Sequence, residues 1–122
     1  MAHKVALTLI VLFLPALALA EAVTFYCDYT SYSDEEGNHE VKDKFVLTFL
    51  VDGDNAYIIG NNGSEPVEVV AGDGKVSFIE ITATGNLMTT AITADGKSVH
   101  SRNSIMFGDL IPSQYYGTCE SR

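Results

Sequence analysis

The sequence predicts an all-β fold, a small antiparallel up-and-down β-barrel of about eight strands, and three observations carry that expectation. From residue 22 onward, short segments rich in Val, Ile, Thr, Tyr and Phe alternate with turns containing Gly, Asn and Asp, the pattern of strands joined by tight hairpins. No stretch after residue 21 sustains a helical period. Finally, Cys27 and Cys119 lie at the two ends of the strand-rich region, and they become neighbours only if the last strand returns to the first. A β-sandwich is the alternative architecture.

The expected strands cover residues 23–30, 44–51, 56–59, 67–70, 75–82, 87–93, 98–106 and 111–116. Val23, Phe25, Cys27 and Tyr29 alternate along the first, and Phe45, Leu47, Phe49 and Val51 along the second, so each set is expected to face the core. Val67 and Val69, then Val76 and Phe78, repeat this more weakly. Asp52-Gly53-Asp54-Asn55, Gly72-Asp73-Gly74, Ala94-Asp95-Gly96 and Phe107-Gly108-Asp109 supply residues suited to positive φ between strands. Residues 31–43 stand apart, being acidic and rich in loop formers; a solvated, mobile link is expected there, and with the Tyr115/Tyr116 region it is expected to carry the contact with a basic partner. With about 7–9 residues per strand and rings aimed inward, the interior should be filled by side chains, leaving no large lipid cavity. Outer positions such as Thr48, Glu68, Ser77 and Lys97 argue against a membrane-spanning barrel.

Residues 1–20 are expected to be a signal peptide: His3 and Lys4 precede an apolar run, Pro15 breaks it, and Ala18-Leu19-Ala20 offers a cleavage site. The run is too short to span a bilayer. The remaining residues, 21–122, suffice for a single domain. Export would place this domain in an oxidising compartment, periplasmic or secreted, where the two cysteines should pair. The mature chain keeps six Lys and Arg against 16 Asp and Glu, a net charge of −10. Such an acidic domain lacks the basic patch needed for nucleic acid or anionic membranes, and a basic extracytoplasmic protein is the expected partner. A monomer is expected.

Candidate binding residues follow from polar groups placed on strand faces. Ser98, His100, Arg102 and Ser104 share one face of the seventh strand, either outward and solvated or lining a polar pocket. Glu80 shares the Val76/Phe78 face and would need a partner such as Arg102 or His100 if buried. Tyr115 and Tyr116 point to opposite sides; one should pack inward while the other covers the seam or is displayed for a partner. Catalysis is not expected, because His100 and Ser101 point to opposite faces and no Gly-x-Ser-x-Gly elbow occurs. Neither cofactor nor metal is expected: the acidic run around Asp34, Glu35 and Glu36 lacks the spacing of a calcium loop. Asn62-Gly63-Ser64 matches a glycosylation acceptor and also plain turn chemistry.

An exported barrel of about 100 residues, with one cysteine in its first strand and another near its end, resembles the periplasmic inhibitors of lysozymes and of metalloproteases. The likeness is one of layout. The Ser-Ala-Ser-Gly-x-Arg-Tyr segment of the c-type lysozyme inhibitors is absent, as is any Trp, so no functional residue is transferred. The likeness implies a binding role. The expected function is therefore an exported binding barrel, in its sharpest form an inhibitor of a secreted basic hydrolase. A small-ligand barrel using Glu80, His100 and Arg102, or a structural subunit of a surface assembly, are the alternatives.

Overall fold

The computed structural model describes residues 22–60 and 63–122; the expected signal peptide and Asn62 lie outside them. Eight strands form a closed antiparallel barrel in which each pairs with its sequence neighbours and the eighth returns to the first. They are β1 (Val23–Asp34), β2 (Gly37–Asp52), β3 (Asn55–Gly60), β4 (Gly63–Gly72), β5 (Lys75–Ile81), β6 (Leu87–Thr93), β7 (Lys97–Met106) and β8 (Asp109–Ser121). Closure gives every strand a neighbour on each side, although β2 residues 37–47 extend past β3 and pair on that length only with β1, with 41–44 unpaired.

Three expectations need correction, the third being the placement of Val23 described below. Residues 31–43 are not a mobile link: β1 runs to Asp34, turns through Glu35 and Glu36, and β2 begins at Gly37. Asp34 Oδ1 accepts the Glu36 amide at 2.9 Å and holds that turn. The register breaks between Tyr29 and Ser31, and residues 41–44 bow out of β2 opposite the break. Pairing of residues 31–33 with both β2 and β8, and of 37–40 with β1, outweighed the loop-like composition. Cys119, expected just past the last strand, lies within β8, because β8 continues to Ser121.

The core is compact and aromatic. Phe49 and Phe78 stack with centroids 4.3 Å apart, and Phe25 meets Phe78 edge-on at 5.9 Å. Tyr29, Ala56 and Ile92 are buried with them. Phe25, Phe45, Leu47, Val51, Val67, Val69 and Val76 pack around this centre. Val23, expected inside, is exposed at the start of its strand.

The seam between β1 and β8 places Cys27 directly opposite Cys119, and the two are disulfide-bonded across 92 residues. Next to the bond, Gly117 lies opposite Tyr29. A Cβ there would overlap the Asp28 carbonyl oxygen and come 2.7 Å from Tyr29 Cα. Both obstacles are backbone, so only glycine lets β8 close onto β1 at this point.

Two predictions follow for denaturant unfolding. Replacing both cysteines by alanine should cost about 4–5 kcal/mol, the loop-closure value for a loop of this size; unchanged stability would show that the bond does not constrain the unfolded chain. Gly117→Ala should prevent a cooperative transition altogether, whereas Gly60→Ala, with open space around its Cα, should leave one.

Candidate functional site

In an up-and-down barrel, the turns after β1, β3, β5 and β7 share one end, and the notable side chains gather at that end. β7 brings its polar face inward. Ser98 and His100 are buried, so the solvated alternative for this face does not hold. The interior accepts them because each polar atom is paired. Ser98 Oγ and Tyr29 Oη lie 2.9 Å apart, and burial raises the Tyr29 hydroxyl pKa while this hydrogen bond opposes the rise.

His100 is 1% exposed and its tautomer follows from its neighbours. Arg102 Nε–H can only donate, so His100 Nε2, 3.2 Å away, accepts. The ring proton therefore sits on Nδ1 and is donated to Thr90 Oγ1 at 2.7 Å. Desolvation, and then the Arg102 charge, lower the His100 pKa from 6.5 to about 4. His100 is a neutral strut within the core.

Arg102 is held on three sides. Beyond its bond to His100, its guanidinium lies 4.9 Å from the Phe45 ring centre and 5.1 Å from that of Tyr115. Tyr115 stacks on Tyr32 at 5.1 Å, and Tyr32 stacks on His39 at 4.8 Å. His39 Nε2 meets Asp34 Oδ1 at 2.8 Å, and this contact lowers the Asp34 pKa. A continuous stack thus runs from Arg102 outward along the β1–β2 hairpin. Beside it opens a pocket of about 370 Å³ that includes Tyr32, Lys42, Lys44, Phe45, Arg102 and Tyr115 in its lining.

The structure brings His100, Arg102 and Tyr115 together. Glu80 lies on the same inward register, paired through Met88 to Arg102, but no ion pair joins Glu80 to Arg102 or His100 among the described residues. Its partial burial raises its pKa, while attraction to Arg102 lowers it and repulsion from Glu65 adds to the rise. Tyr116 is turned outward at the seam, bonded to Ser33 Oγ at 2.9 Å and donating to Gln114 Oε1 at 3.1 Å. Ser101 accepts from Gln114 Nε2 at 3.1 Å. Tyr32 and His39 lie in the 31–43 segment expected to be a solvated link, so their stacking was not foreseen; the bulge turns Tyr32, at an even position of β1, toward Tyr115. Among the described residues, no group of three or more His, Cys, Asp or Glu is placed to hold a metal.

Two hairpins project at this same end. The β7–β8 hairpin displays Ile105, Met106, Phe107, Leu110 and Ile111 to solvent, and Ile81 and Leu87 of the adjoining hairpin are exposed as well. Asn86 Oδ1 accepts the Ile105 amide at 3.0 Å and ties the two together. Phe107 is 99% exposed at φ 54°, followed by Gly108 at φ 82°. Two successive positive φ values define the type I′ hairpin geometry that favours Asn-Gly; a bulky residue there is costly. On the other side, Asp34, Glu35 and Glu36 share a surface groove of about 210 Å³ with Ile111 and Pro112. An acidic turn and an apolar tip therefore adjoin.

Comparison with protein-family models, curated proteins and solved structures yields no match. Among the described residues, no helix is long and apolar enough to cross a membrane.

The buried histidine makes stability pH-dependent in a definite direction. Between about pH 6.5 and pH 4 the unfolded chain binds a proton at His100 that the folded chain does not, so stability falls as the pH drops through this window. The loss should be on the order of 3 kcal/mol and should level off below pH 4. Urea unfolding of wild type and His100→Asn at pH 7 and pH 4.5 isolates it: the variant should lack this share of the slope. Identical slopes would exclude the neutral-strut assignment.

Proposed function

We propose that this chain is an extracytoplasmic binding protein, without catalytic chemistry, that docks a basic secreted protein at the barrel end carrying the β1–β2 and β7–β8 hairpins. A secreted hydrolase is the partner class favoured. The disulfide is compatible with an oxidising compartment, and the sequence offers a leader to reach it.

The observation that carries the reading is Phe107. Hairpin physics favours Asn or Gly at its position, and its side chain supports nothing within the barrel. A fully displayed aromatic ring on a strained, two-residue turn serves an external contact. Such rings anchor protein interfaces when they enter an apolar cleft. The acidic turn at Glu35 and Glu36, together with the net charge of −10 for residues 21–122, supplies long-range attraction to a basic surface. Anchoring and steering thus come from neighbouring hairpins. Tyr116 belongs to the structural seam in this reading, in contrast to the display role considered for it from sequence.

The Phe107→Asn variant separates binding from folding. It should stabilise the protein by about 1 kcal/mol by relieving the positive φ. It should also weaken binding to the cognate member of a panel of basic secreted hydrolases, lysozymes included, by roughly tenfold or more. Glu35→Gln with Glu36→Gln should slow association several-fold, mostly at low salt. Interferometry across that panel at two salt concentrations checks both effects. Absence of any salt-sensitive binder, or unchanged affinity in Phe107→Asn, overturns the reading.

A further inference from the structure

We infer that the pocket beside Arg102 is a binding site for a small monoanion carried on a planar apolar body, an aromatic carboxylate being the type. Such a site uses neither hairpin tip and stands apart from the docking role proposed above.

The charge distribution is the first argument. Residues 21–122 carry only six Lys and Arg, yet Lys42, Lys44 and Arg102 all line this one pocket of about 370 Å³. Glu40 and Asp43 share the wall, so the lining holds three cations against two carboxylates. Glu80 acts electrostatically on the same guanidinium. The lining by itself, which does not include Glu80, carries one net positive charge, and this favours a carboxylate over a phosphate dianion.

The state of Arg102 is the second. Its Nε is committed to His100, and Phe45 and Tyr115 flank the guanidinium. Its Nη groups make no hydrogen bond or ion pair with the described residues. The pair of Nη donors is the edge that can receive both oxygens of a carboxylate end-on. Because the side chain is already immobilised, little further ordering is lost when the anion arrives. A neutral His100 is necessary here, since only the unprotonated Nε2 can accept from Arg102 and aim it.

The third argument is the wall itself. Tyr32, Phe45 and Tyr115 offer apolar surface next to the cations, and the volume falls in the range of small-ligand pockets. The bowed residues 41–44 of β2 bring both lysines to that wall. An ordinary two-strand ladder would not create this recess.

Titration of the oxidised protein with benzoate, followed by NMR of the Arg102 Nε–H and the Tyr115 ring, tests the site. Neutral benzamide, nearly the same shape, is the control. Benzoate should give saturable shifts at both groups, and benzamide should bind about tenfold more weakly or worse, given the strength of charged hydrogen bonds. Arg102→Lys keeps the charge but loses the two-point contact and should weaken benzoate about tenfold. Lys42→Gln with Lys44→Gln, both exposed positions, should weaken it several-fold while leaving the fold intact. Equal binding of benzoate and benzamide, or no saturation, overturns the site. So does an unchanged benzoate affinity in the double lysine variant, a result that stands even if Arg102→Lys fails to fold.

Discussion

The closure of β8 onto β1 is the constraint on which the rest of this molecule depends. Without it, a meander of eight strands would leave two bare edges and an interior open along one side. The register at that seam is set by three adjacent features: the Cys27–Cys119 bond, the absence of a side chain at Gly117, and the bulge between Tyr29 and Ser31. The disulfide ties chain ends 92 residues apart, a separation at which loop closure is entropically expensive. Gly117 acts differently, since it removes a steric veto from the folded state. One feature penalises the open chain and the other permits the closed one.

Closure also explains how polar residues came to lie in the core. β7 is the neighbour of β8, and its Ser98 and His100 face the interior across from Gly117 and Tyr115. Tyr29 and Thr90 complete their hydrogen bonds from two other strands. No single hairpin contains a partner for every group in that set. The arrangement is stable only once the ring is complete, and it then holds Arg102 in one orientation at the mouth. Core packing and the aim of a surface cation are thus parts of one hydrogen-bonded chain.

The interior and the β7–β8 tip are unequal in kind. The interior follows ordinary burial, with stacked phenylalanines and paired polar atoms. The β7–β8 tip departs from it, placing a phenylalanine where backbone conformation disfavours one and where no packing compensates. Local rules tend to be broken at functional positions, where an external contact rewards the departure. In the docking role proposed above, the acidic turn beside it supplies the preferred charge.

Much of the fold was legible in the residues themselves. Alternation along 23–29 and 45–51 and the Gly- and Asp-rich turns determined an all-β fold, because side-chain period and turn chemistry are local properties, and the spacing of Cys27 and Cys119 favoured a barrel over a sandwich. The opposite orientations of Tyr115 and Tyr116 were legible for the same reason. The direction of the Ser98–Arg102 face was not, since alternation states that two faces differ but not which is inside when both partner sets are polar. The inward direction of Tyr32 was hidden by a bulge that shifts phase within β1, and the strand character of residues 31–43 by an acidic composition. Those outcomes were decided by tertiary structure, because each depends on what the neighbouring strand offers: a backbone to pair with, a hydroxyl to accept a proton, or a ring to stack on.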